Sequence, residues 1–194
     1  MDKQQKEILR KVYLEKRRTL TEEEFAKRNQ LINQQVINLI SELGLHTIHL
    51  FFAIKKFKEI DLSPLLQWGY ENSRTFVASV SDLKQASMRH FFIKEDTILE
   101  NNKWGIPEPV KAKEASLDML DVVLVPMVIG NKSGDRIGYG KGYYDTFLKE
   151  CPAHVKFIGL NLGPLLEQDA FSEPHDIKMD YMLTPFELFH IKTK

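Results

Sequence analysis

The chain has 194 residues, of which 43% are hydrophobic and 28% are charged, and its 27 basic residues balance 27 acidic ones. This composition is typical of a soluble globular protein, and the length suffices for one domain over residues 1–194 whose core needs no metal or disulfide. Because the net charge is zero, no overall field attracts nucleic acid or an anionic membrane, and we expect neither as a partner.

The remaining compositional features indicate a cytoplasmic protein. Cys151 is the single cysteine, so it cannot form an internal disulfide, and the N-terminal segment is charged and polar, unlike a signal peptide. No run approaches the roughly 18 apolar residues that a membrane span needs. The composition does not distinguish a monomer from a homodimer.

Two helices are predicted before the first strand. Residues 3–18 are charged and helix-prone, and they place Lys6 and Arg10 one turn apart. These two side chains either belong to a solvated helix face or reach a phosphate group that is bound elsewhere. Thr21 and the glutamates after it match a capping box, which predicts a second, purely structural helix that ends near Gly44.

A strand, a loop and a helix follow. The apolar run 47–54 predicts a buried strand, and Ser63 followed by Pro64 is typical of an N-cap and a first helical residue. The loop between them lies at the carboxyl end of the strand, where open α/β sheets bind their ligands. Glu59 in this loop is therefore either a ligand contact or an exposed loop carboxylate.

Two further strands are predicted at residues 74–80 and 88–93. They are expected to be antiparallel, because the linker between them is too short for a helical crossover. The next segment, 101–109, contains two prolines and a glycine and predicts irregular structure. Its Trp104 either fills the edge of the core or offers a flat stacking surface to a ring-shaped ligand.

The stretch 134–145 is the hardest to explain as ordinary structure, because it places four glycines, two cations, three tyrosines and two carboxylates in twelve positions. It follows the apolar run 121–126, a predicted buried strand, and leads into helical spacing at 144–149. Glycines allow the backbone to approach a ligand, and the free N–H groups of a first helical turn favour an anion. Lys141 adds a mobile charge that suits phosphate. The stretch therefore predicts a phosphate-binding loop.

The end of the chain predicts two more strands, at 155–161 and 181–184, with an acidic, proline-containing loop at 172–180. Helices that alternate with short apolar strands predict an α/β fold, namely a three-layer α/β/α sandwich with a largely parallel, mixed central sheet. The histidines lack metal-ligand spacing, and no serine elbow or cysteine nucleophile motif occurs. We therefore expect neither zinc nor covalent acyl chemistry.

Spacing excludes two common phosphate-loop families. A Walker A motif has four residues between its first glycine and its Gly-Lys pair, whereas five residues separate Gly134 from Gly140. A dinucleotide fingerprint has Gly-x-Gly-x-x-Gly after an early strand, whereas Gly138, Gly140 and Gly142 alternate late in the chain. Neither an ordinary NTPase nor a Rossmann dehydrogenase fits this pattern.

The sequence resembles the 5-formyltetrahydrofolate cyclo-ligases, also called 5,10-methenyltetrahydrofolate synthetases. The blocks that carry the resemblance occur in family order at residues 6–10, 59–61, 106–109, 120–126, 134–145, 174–180 and 184–185. The block Gly-Tyr-Gly-Lys-Gly-Tyr-Tyr-Asp is highly specific, whereas the N-terminal Lys/Arg pattern alone is weak. Two departures occur: residues 127–131 lack the frequent Ala-Phe-Asp, and residues 77–80 lack a common Pro-Arg pair.

The resemblance implies an enzyme that converts 5-formyltetrahydrofolate to 5,10-methenyltetrahydrofolate in an ATP- and Mg²⁺-dependent reaction. ADP and phosphate are released, and the formyl group is phosphorylated on the way. The partners implied are ATP and a reduced folate. The two departures motivate one alternative, a non-catalytic folate- or nucleotide-binding regulator with the same fold. RNA binding through the basic first helix is a weaker alternative, because the net charge is zero.

The family pattern also implies the site residues. The catalytic pair is Lys141 and Arg136. The ATP-binding residues are Lys6, Arg10, Arg136, Gly138, Tyr139, Gly140, Lys141, Gly142, Tyr143 and Tyr144. The substrate-binding residues are Ile54, Glu59, Trp104, Tyr139 and Tyr143. The Mg²⁺ ligands are Asp145 and Asp176, and two carboxylates suffice because phosphate oxygens and water complete the octahedron.

Two of these residues have local alternatives. Asp145 is also placed to be a helix N-terminal carboxylate that the helix dipole stabilises. Tyr144 is also expected to pack under the loop, because adjacent residues at a helix start point in different directions.

Overall fold

The computed structural model describes residues 1–82, 87–103, 105–167 and 176–191. The helices are α1 (Lys3–Arg18), α2 (Glu22–Glu42), α3 (Ser63–Glu71) and α4 (Tyr143–Glu150). The strands are β1 (Thr47–Leu50), β2 (Thr75–Asp82), β3 (Ser87–Ile93), β4 (Leu99–Asn101), β5 (Pro107–Pro109), β6 (Val122–Pro126), β7 (Ile129–Gly130), β8 (Arg136–Ile137), β9 (Lys156–Leu160), β10 (Tyr181–Leu183) and β11 (Leu188–His190).

A seven-stranded mixed sheet forms the centre of the described structure, in the order β11-β10-β9-β6-β1-β2-β3. The five inner strands β10, β9, β6, β1 and β2 run parallel to one another, whereas the edge strands β11 and β3 pair antiparallel with β10 and β2. The predicted antiparallel relation between β2 and β3 is confirmed. The prediction of an α/β fold with a largely parallel, mixed sheet is also confirmed.

The side chains of β6 show why the fold has three layers. Val122 and Leu124 point into a core that α2 and α3 cover, and Val123 and Val125 point into a second core that α4 covers. All four side chains are fully buried. Because successive side chains of a strand point to opposite faces, a continuously apolar strand must be covered on both sides. The sequence of β6 therefore requires helices on both faces of the sheet.

The first two helices occupy the predicted ranges. The N-cap of α2 is Thr21, whose hydroxyl accepts a hydrogen bond from the Glu24 N–H at 3.1 Å. The Glu24 carboxylate accepts from Arg28 at 2.6 Å. Of the two hydrogen bonds of the predicted capping box, the structure therefore shows the one that the Thr21 hydroxyl accepts. Gly44 follows the helix end with φ of +65°, a conformation that glycine adopts without strain.

Other predicted boundaries were wrong. Ser63 is the first residue of α3 and Leu62 is the N-cap, while the Asp61 carboxylate, two residues before Ser63, accepts from the Ser63 N–H at 3.0 Å. Strand β1 ends at Leu50, so residues 51–54 form the start of the following loop and are not strand. Strand β11 at the sheet edge was not predicted.

Residues 101–109 were expected to be irregular, but β4 and β5 pair as a short antiparallel ladder. Val110 donates to the Ile98 carbonyl at 3.0 Å, and Asn102 donates to the Ile106 carbonyl at 2.9 Å. These bonds use the even-numbered positions of the second strand. The prolines at the odd positions lie where no N–H is needed, which is why a strand tolerates them.

A polar cluster lies buried in the second core. The Nε2 atom of His49 on β1 lies 2.8 Å from the hydroxyl of Ser79 on β2, which lies 3.1 Å from Nδ1 of His90 on β3. The ring of Phe147 on α4 covers both imidazoles, with centroid distances of 4.6 and 4.3 Å. Burial lowers the pKa of His90 to about 4, and burial together with His90 lowers the pKa of His49 well below its ordinary value.

This cluster predicts a pH-dependent stability. The unfolded chain takes up protons on these histidines near pH 6.5, whereas folded His90 does so near pH 4. The free energy of unfolding should therefore fall as the pH decreases through this window. The variant His90→Asn keeps a polar group near the Nδ1 position, and it should lose about 1–2 kcal/mol less than the unaltered protein between pH 7 and pH 5. Urea unfolding at both pH values measures the difference, and equal losses in the two proteins would contradict a buried neutral His90.

Candidate active site

The glycine loop, defined here as residues 134–145, runs from the β7–β8 turn through β8 into the first turn of α4. Gly140 and Gly142 have φ of +80° and +75°, and Gly142 is the N-cap of α4. Because glycine has no side chain, it leaves the first-turn N–H groups of α4 without an N-cap side chain to bind them. A Cβ atom at Gly140 would lie 3.1 Å from the Arg10 guanidinium. The glycine is therefore required both by its conformation and by the approach of a cation.

Helix α1 lies against this loop. The Nε atom of Arg10 donates to the Gly138 carbonyl at 2.8 Å, and Nζ of Lys6 lies 3.3 Å from a carboxylate oxygen of Asp176. The two basic side chains are only 16% and 13% exposed, respectively. Their interpretation as a solvated helix face was wrong, because both are directed to the loop and the segment beside it.

Arg136 joins the loop to the segment after Asp176. Its guanidinium forms an ion pair with Asp145 in the first turn of α4 and donates to the Ile177 carbonyl at 2.5 Å. The Arg136 side chain is 6% exposed. The two predicted metal ligands, Asp145 and Asp176, are thus held in one region, each paired with a cation.

These carboxylates suit a hard cation. Asp145 is one-third exposed, and carboxylate oxygens are the ligands that Mg²⁺ prefers in proteins. Within the described residues no group of three or more His, Cys, Asp or Glu side chains gathers to enclose a metal. A Mg²⁺ ion held by these two aspartates would therefore share its coordination with a ligand or with water, as that ion usually does.

Glu59 is buried, with 5% of its surface exposed, so its interpretation as an exposed loop carboxylate was wrong. It accepts a hydrogen bond from the Ile54 N–H at 2.6 Å and another from the Tyr139 hydroxyl of the glycine loop. The Tyr139 ring stacks on Phe57 with centroids 5.5 Å apart. Burial raises the pKa of Glu59, and these two hydrogen bonds together with the charge of Arg17 partly offset the rise.

The remaining tyrosines and Lys141 differ in exposure. Tyr144 is half-buried and packs against the core under α4, with its ring 6.0 Å from that of Phe147, as its local sequence indicates. Tyr143 is half-buried, and Lys141 is exposed on the loop. Trp104 lies outside the described residues, as do residues 172–175 of the acidic loop.

Sequence reasoning missed Arg17, the one buried residue of α1. Its guanidinium donates to the carbonyls of Met127 and Val128 at 2.5 and 3.2 Å and to the Tyr139 hydroxyl at 3.3 Å. The signal was present in the spacing, because positions 6, 10 and 17 fall on one face of a helix. Because Arg18 is adjacent and exposed, the sequence alone did not distinguish Arg17 from a surface arginine.

The first departure from the family pattern has a structural role. The Asn131 side chain accepts from the Asp135 N–H at 2.8 Å and donates to the Asp135 carboxylate at 3.0 Å. Asp135 is 1% exposed and also pairs with Lys178 at 3.2 Å. Asn131 therefore closes the β7–β8 turn from which Arg136 extends.

Comparisons with known proteins identify the family of this chain. A sequence profile of the 5-formyltetrahydrofolate cyclo-ligase family matches residues 2–185. The 5-formyltetrahydrofolate cyclo-ligase of Mus musculus is 24% identical over 177 residues, covering 86% of each chain. That of Haemophilus influenzae is 27% identical over 172 residues, covering 87% of this chain and 90% of the relative.

Solved structures give the same result. The 5,10-methenyltetrahydrofolate synthetase of Aquifex aeolicus superposes with a TM-score of 0.76 at 26% identity, covering 97% of this chain and 94% of that one. The synthetase of Mycoplasma pneumoniae, at 24% identity, has the same fold, with a TM-score of 0.72 and coverage of 95% and 99%.

The seven-stranded, largely parallel sheet with helices on both faces defines the class of protein as an α/β/α sandwich. More particularly, the chain belongs to the 5-formyltetrahydrofolate cyclo-ligase family, which is a family of ligases in folate one-carbon metabolism. In the part of the chain that the structure describes, none of the helices has the length and apolar character of a membrane span.

The loop geometry predicts unequal effects of alanine at two of its glycines. Gly140→Ala should lower the free energy of unfolding by about 1–2 kcal/mol, because alanine is strained at positive φ and meets Arg10. Gly138→Ala is the matched control, since its φ is not positive and its Cβ would meet nothing within 4 Å. Urea unfolding measures both variants. Equal destabilisation would contradict the described conformation of the loop.

Proposed function

We propose that this protein converts 5-formyltetrahydrofolate to 5,10-methenyltetrahydrofolate at the expense of ATP, with release of ADP and phosphate. The observation that carries the proposal is that Arg10 binds the glycine loop, in which Arg136 pairs with Asp145, while Lys6 pairs with Asp176. Phosphoryl transfer depends on positioning and charge neutralisation more than on a protein nucleophile. The site supplies cations and backbone donors for that purpose, and family membership supports the folate substrate.

The proposed reaction has two steps. The formyl oxygen attacks the γ-phosphorus of ATP, and the bond to the leaving ADP oxygen breaks. The N10 amine then attacks the activated formyl carbon, the carbon–oxygen bond to phosphate breaks, and N10 loses its proton. Both steps move negative charge on phosphate oxygens, so their rates depend on cations that are already in position.

The cations have different proposed roles. Lys6, Arg10 and the loop backbone from Gly138 to Tyr144 bind the triphosphate, and Arg136 stabilises charge on the transferred group. Lys141 is exposed and mobile enough to follow that group during transfer. Asp145 and Asp176 would hold Mg²⁺, which when bound neutralises phosphate charge.

The folate would bind on the opposite side of the loop. We assign Glu59, Ile54, Tyr139, Tyr143 and Trp104 to this side. The Glu59 carboxylate already receives two hydrogen bonds, and a carboxylate has about four acceptor positions. Its remaining positions suit the N–H donors of a reduced pterin ring.

A direct assay tests the proposal. Purified protein with Mg-ATP and 5-formyltetrahydrofolate should generate the absorbance of the methenyl product, and protein without ATP should not. Absence of ATP-dependent product would refute the proposed activity. Calorimetry that showed tight binding of folate or nucleotide without turnover would instead favour the non-catalytic regulator.

The role of Lys141 yields a specific prediction. Lys141→Met should lower kcat by about 100-fold or more, because it removes a charge that stabilises the transferred phosphoryl group. Thermal unfolding should change little, since surface substitutions usually alter stability by less than about 0.5 kcal/mol.

Lys149→Met is the matched control for this variant. Lys149 is an exposed lysine in the last turn of α4, so its replacement should leave kcat unchanged. A large loss of stability in Lys141→Met would indicate that Lys141 is structural, and unchanged kcat would remove it from the catalytic group.

A further inference from the structure

Arg17 is a buried cation whose hydrogen bonds lead towards the folate side of the loop. Only 7% of its surface is exposed, although arginine is rarely buried without a partner. Two of its bonds, to the Met127 and Val128 carbonyls, fix the guanidinium to the chain between β6 and β7. The third, to the Tyr139 hydroxyl, is not needed for that anchoring. This third bond instead links Arg17 to the glycine loop.

The direction of the hydrogen bonds follows from the donors available. A guanidinium only donates, so the Tyr139 hydroxyl must accept from Arg17. The proton of that hydroxyl is then left for the Glu59 carboxylate, to which Tyr139 is hydrogen-bonded. The order of donation runs from Arg17 through Tyr139 to Glu59. The hydroxyl joins a buried cation to a buried carboxylate in one polarised chain.

We propose that Arg17 is a positioning residue for the folate site: through Tyr139, it keeps the Glu59 carboxylate ionised and oriented to accept N–H donors of the substrate. This inference rests on the proposed function, because it assigns the folate ring to Glu59. Arg17 itself does not touch the reacting atoms, and it acts on binding more than on the chemical step.

The surroundings of Glu59 make its ionisation sensitive to Arg17. Among the described residues, the charged and titratable groups that face it from other elements are Arg17 of α1, Tyr139 of the glycine loop and Tyr144 of α4. Both tyrosines are neutral, because burial, followed by the charge of Glu59, raises the pKa of each. Arg17 is therefore the one cation of this group. Its removal leaves burial to raise the pKa of Glu59 further.

The first test uses the ligand-free protein. A carbon-13 NMR titration of the Glu59 carboxyl should show a higher pKa in Arg17→Met than in the unaltered protein. Arg18→Met is the matched control, because Arg18 is the neighbouring arginine and its side chain is 48% exposed. This control should leave the titration of Glu59 unchanged. An unchanged Glu59 pKa in Arg17→Met would overturn the proposal.

The second test separates binding from chemistry. Arg17→Met should raise KM for 5-formyltetrahydrofolate about tenfold, the effect of losing a hydrogen bond to a charged group, and kcat should change by less than about threefold. The rise in KM should grow as the pH falls, because more Glu59 becomes protonated. In a Tyr139→Phe background the same substitution should add little, since the connecting hydroxyl is already gone.

Several outcomes decide between the alternatives. Equal effects of Arg17→Met with and without the Tyr139 hydroxyl would mean that Arg17 does not act through Tyr139, and would overturn the proposal. If Arg17→Met does not fold, Arg17→Gln keeps donors for the two carbonyls and removes the charge, and it should raise the Glu59 pKa and KM; no rise in either would overturn the proposal. If the unaltered protein forms no methenyl product, the proposed function fails, and the NMR titration still decides the role of Arg17.

Discussion

The basic face of α1 holds the glycine loop in position, and every part of the candidate site depends on this contact. Arg10 binds a loop carbonyl, Arg17 binds the carbonyls before the β7–β8 hairpin, and Lys6 binds the Asp176 carboxylate. Beneath these polar contacts, Leu9 and Tyr13 pack on Ile129 and Ile137. A loop that is rich in glycine has high conformational entropy, so it keeps one shape only where neighbouring groups constrain it. Helix α1 supplies those constraints.

The charges at the site are arranged in pairs. Lys6 pairs with Asp176 and Arg136 pairs with Asp145, while Arg10 and Arg17 bind carbonyl oxygens. Buried or half-buried charges are stable only when they are paired in this way. The same pairs keep the long side chains ordered before any ligand arrives, which lowers the entropic cost of binding a phosphate.

The sequence predicted local structure well because periodicity depends on local features. The ranges of α1 and α2, the antiparallel β2–β3 pair and the two-sided burial of β6 all follow from the spacing of apolar residues and from chain length between elements. The glycine loop was recognisable for a similar reason, since four glycines in twelve positions are rare in ordinary structure.

What the sequence did not predict depends on contacts between distant segments. The burial of Glu59 and the role of Arg17 arise because α1, the loop after β1 and the glycine loop meet in space. The β4–β5 ladder tolerates prolines only because of the register of its partner strand. The N-cap of α3 was assigned to Ser63, whereas Leu62 occupies that position and the Asp61 carboxylate binds the Ser63 N–H. In each case a residue type that is ambiguous alone acquires its role from its neighbours.

The pairing of Lys6 with Asp176 joins residues that are 170 positions apart. A ribosome adds about 5–20 residues per second, so Lys6 is made about 10–30 s before its partner exists. During that interval Lys6 cannot form its pair with Asp176. The site is therefore assembled late in synthesis, and a chain that stops before Asp176 carries the glycine loop without one of its carboxylates.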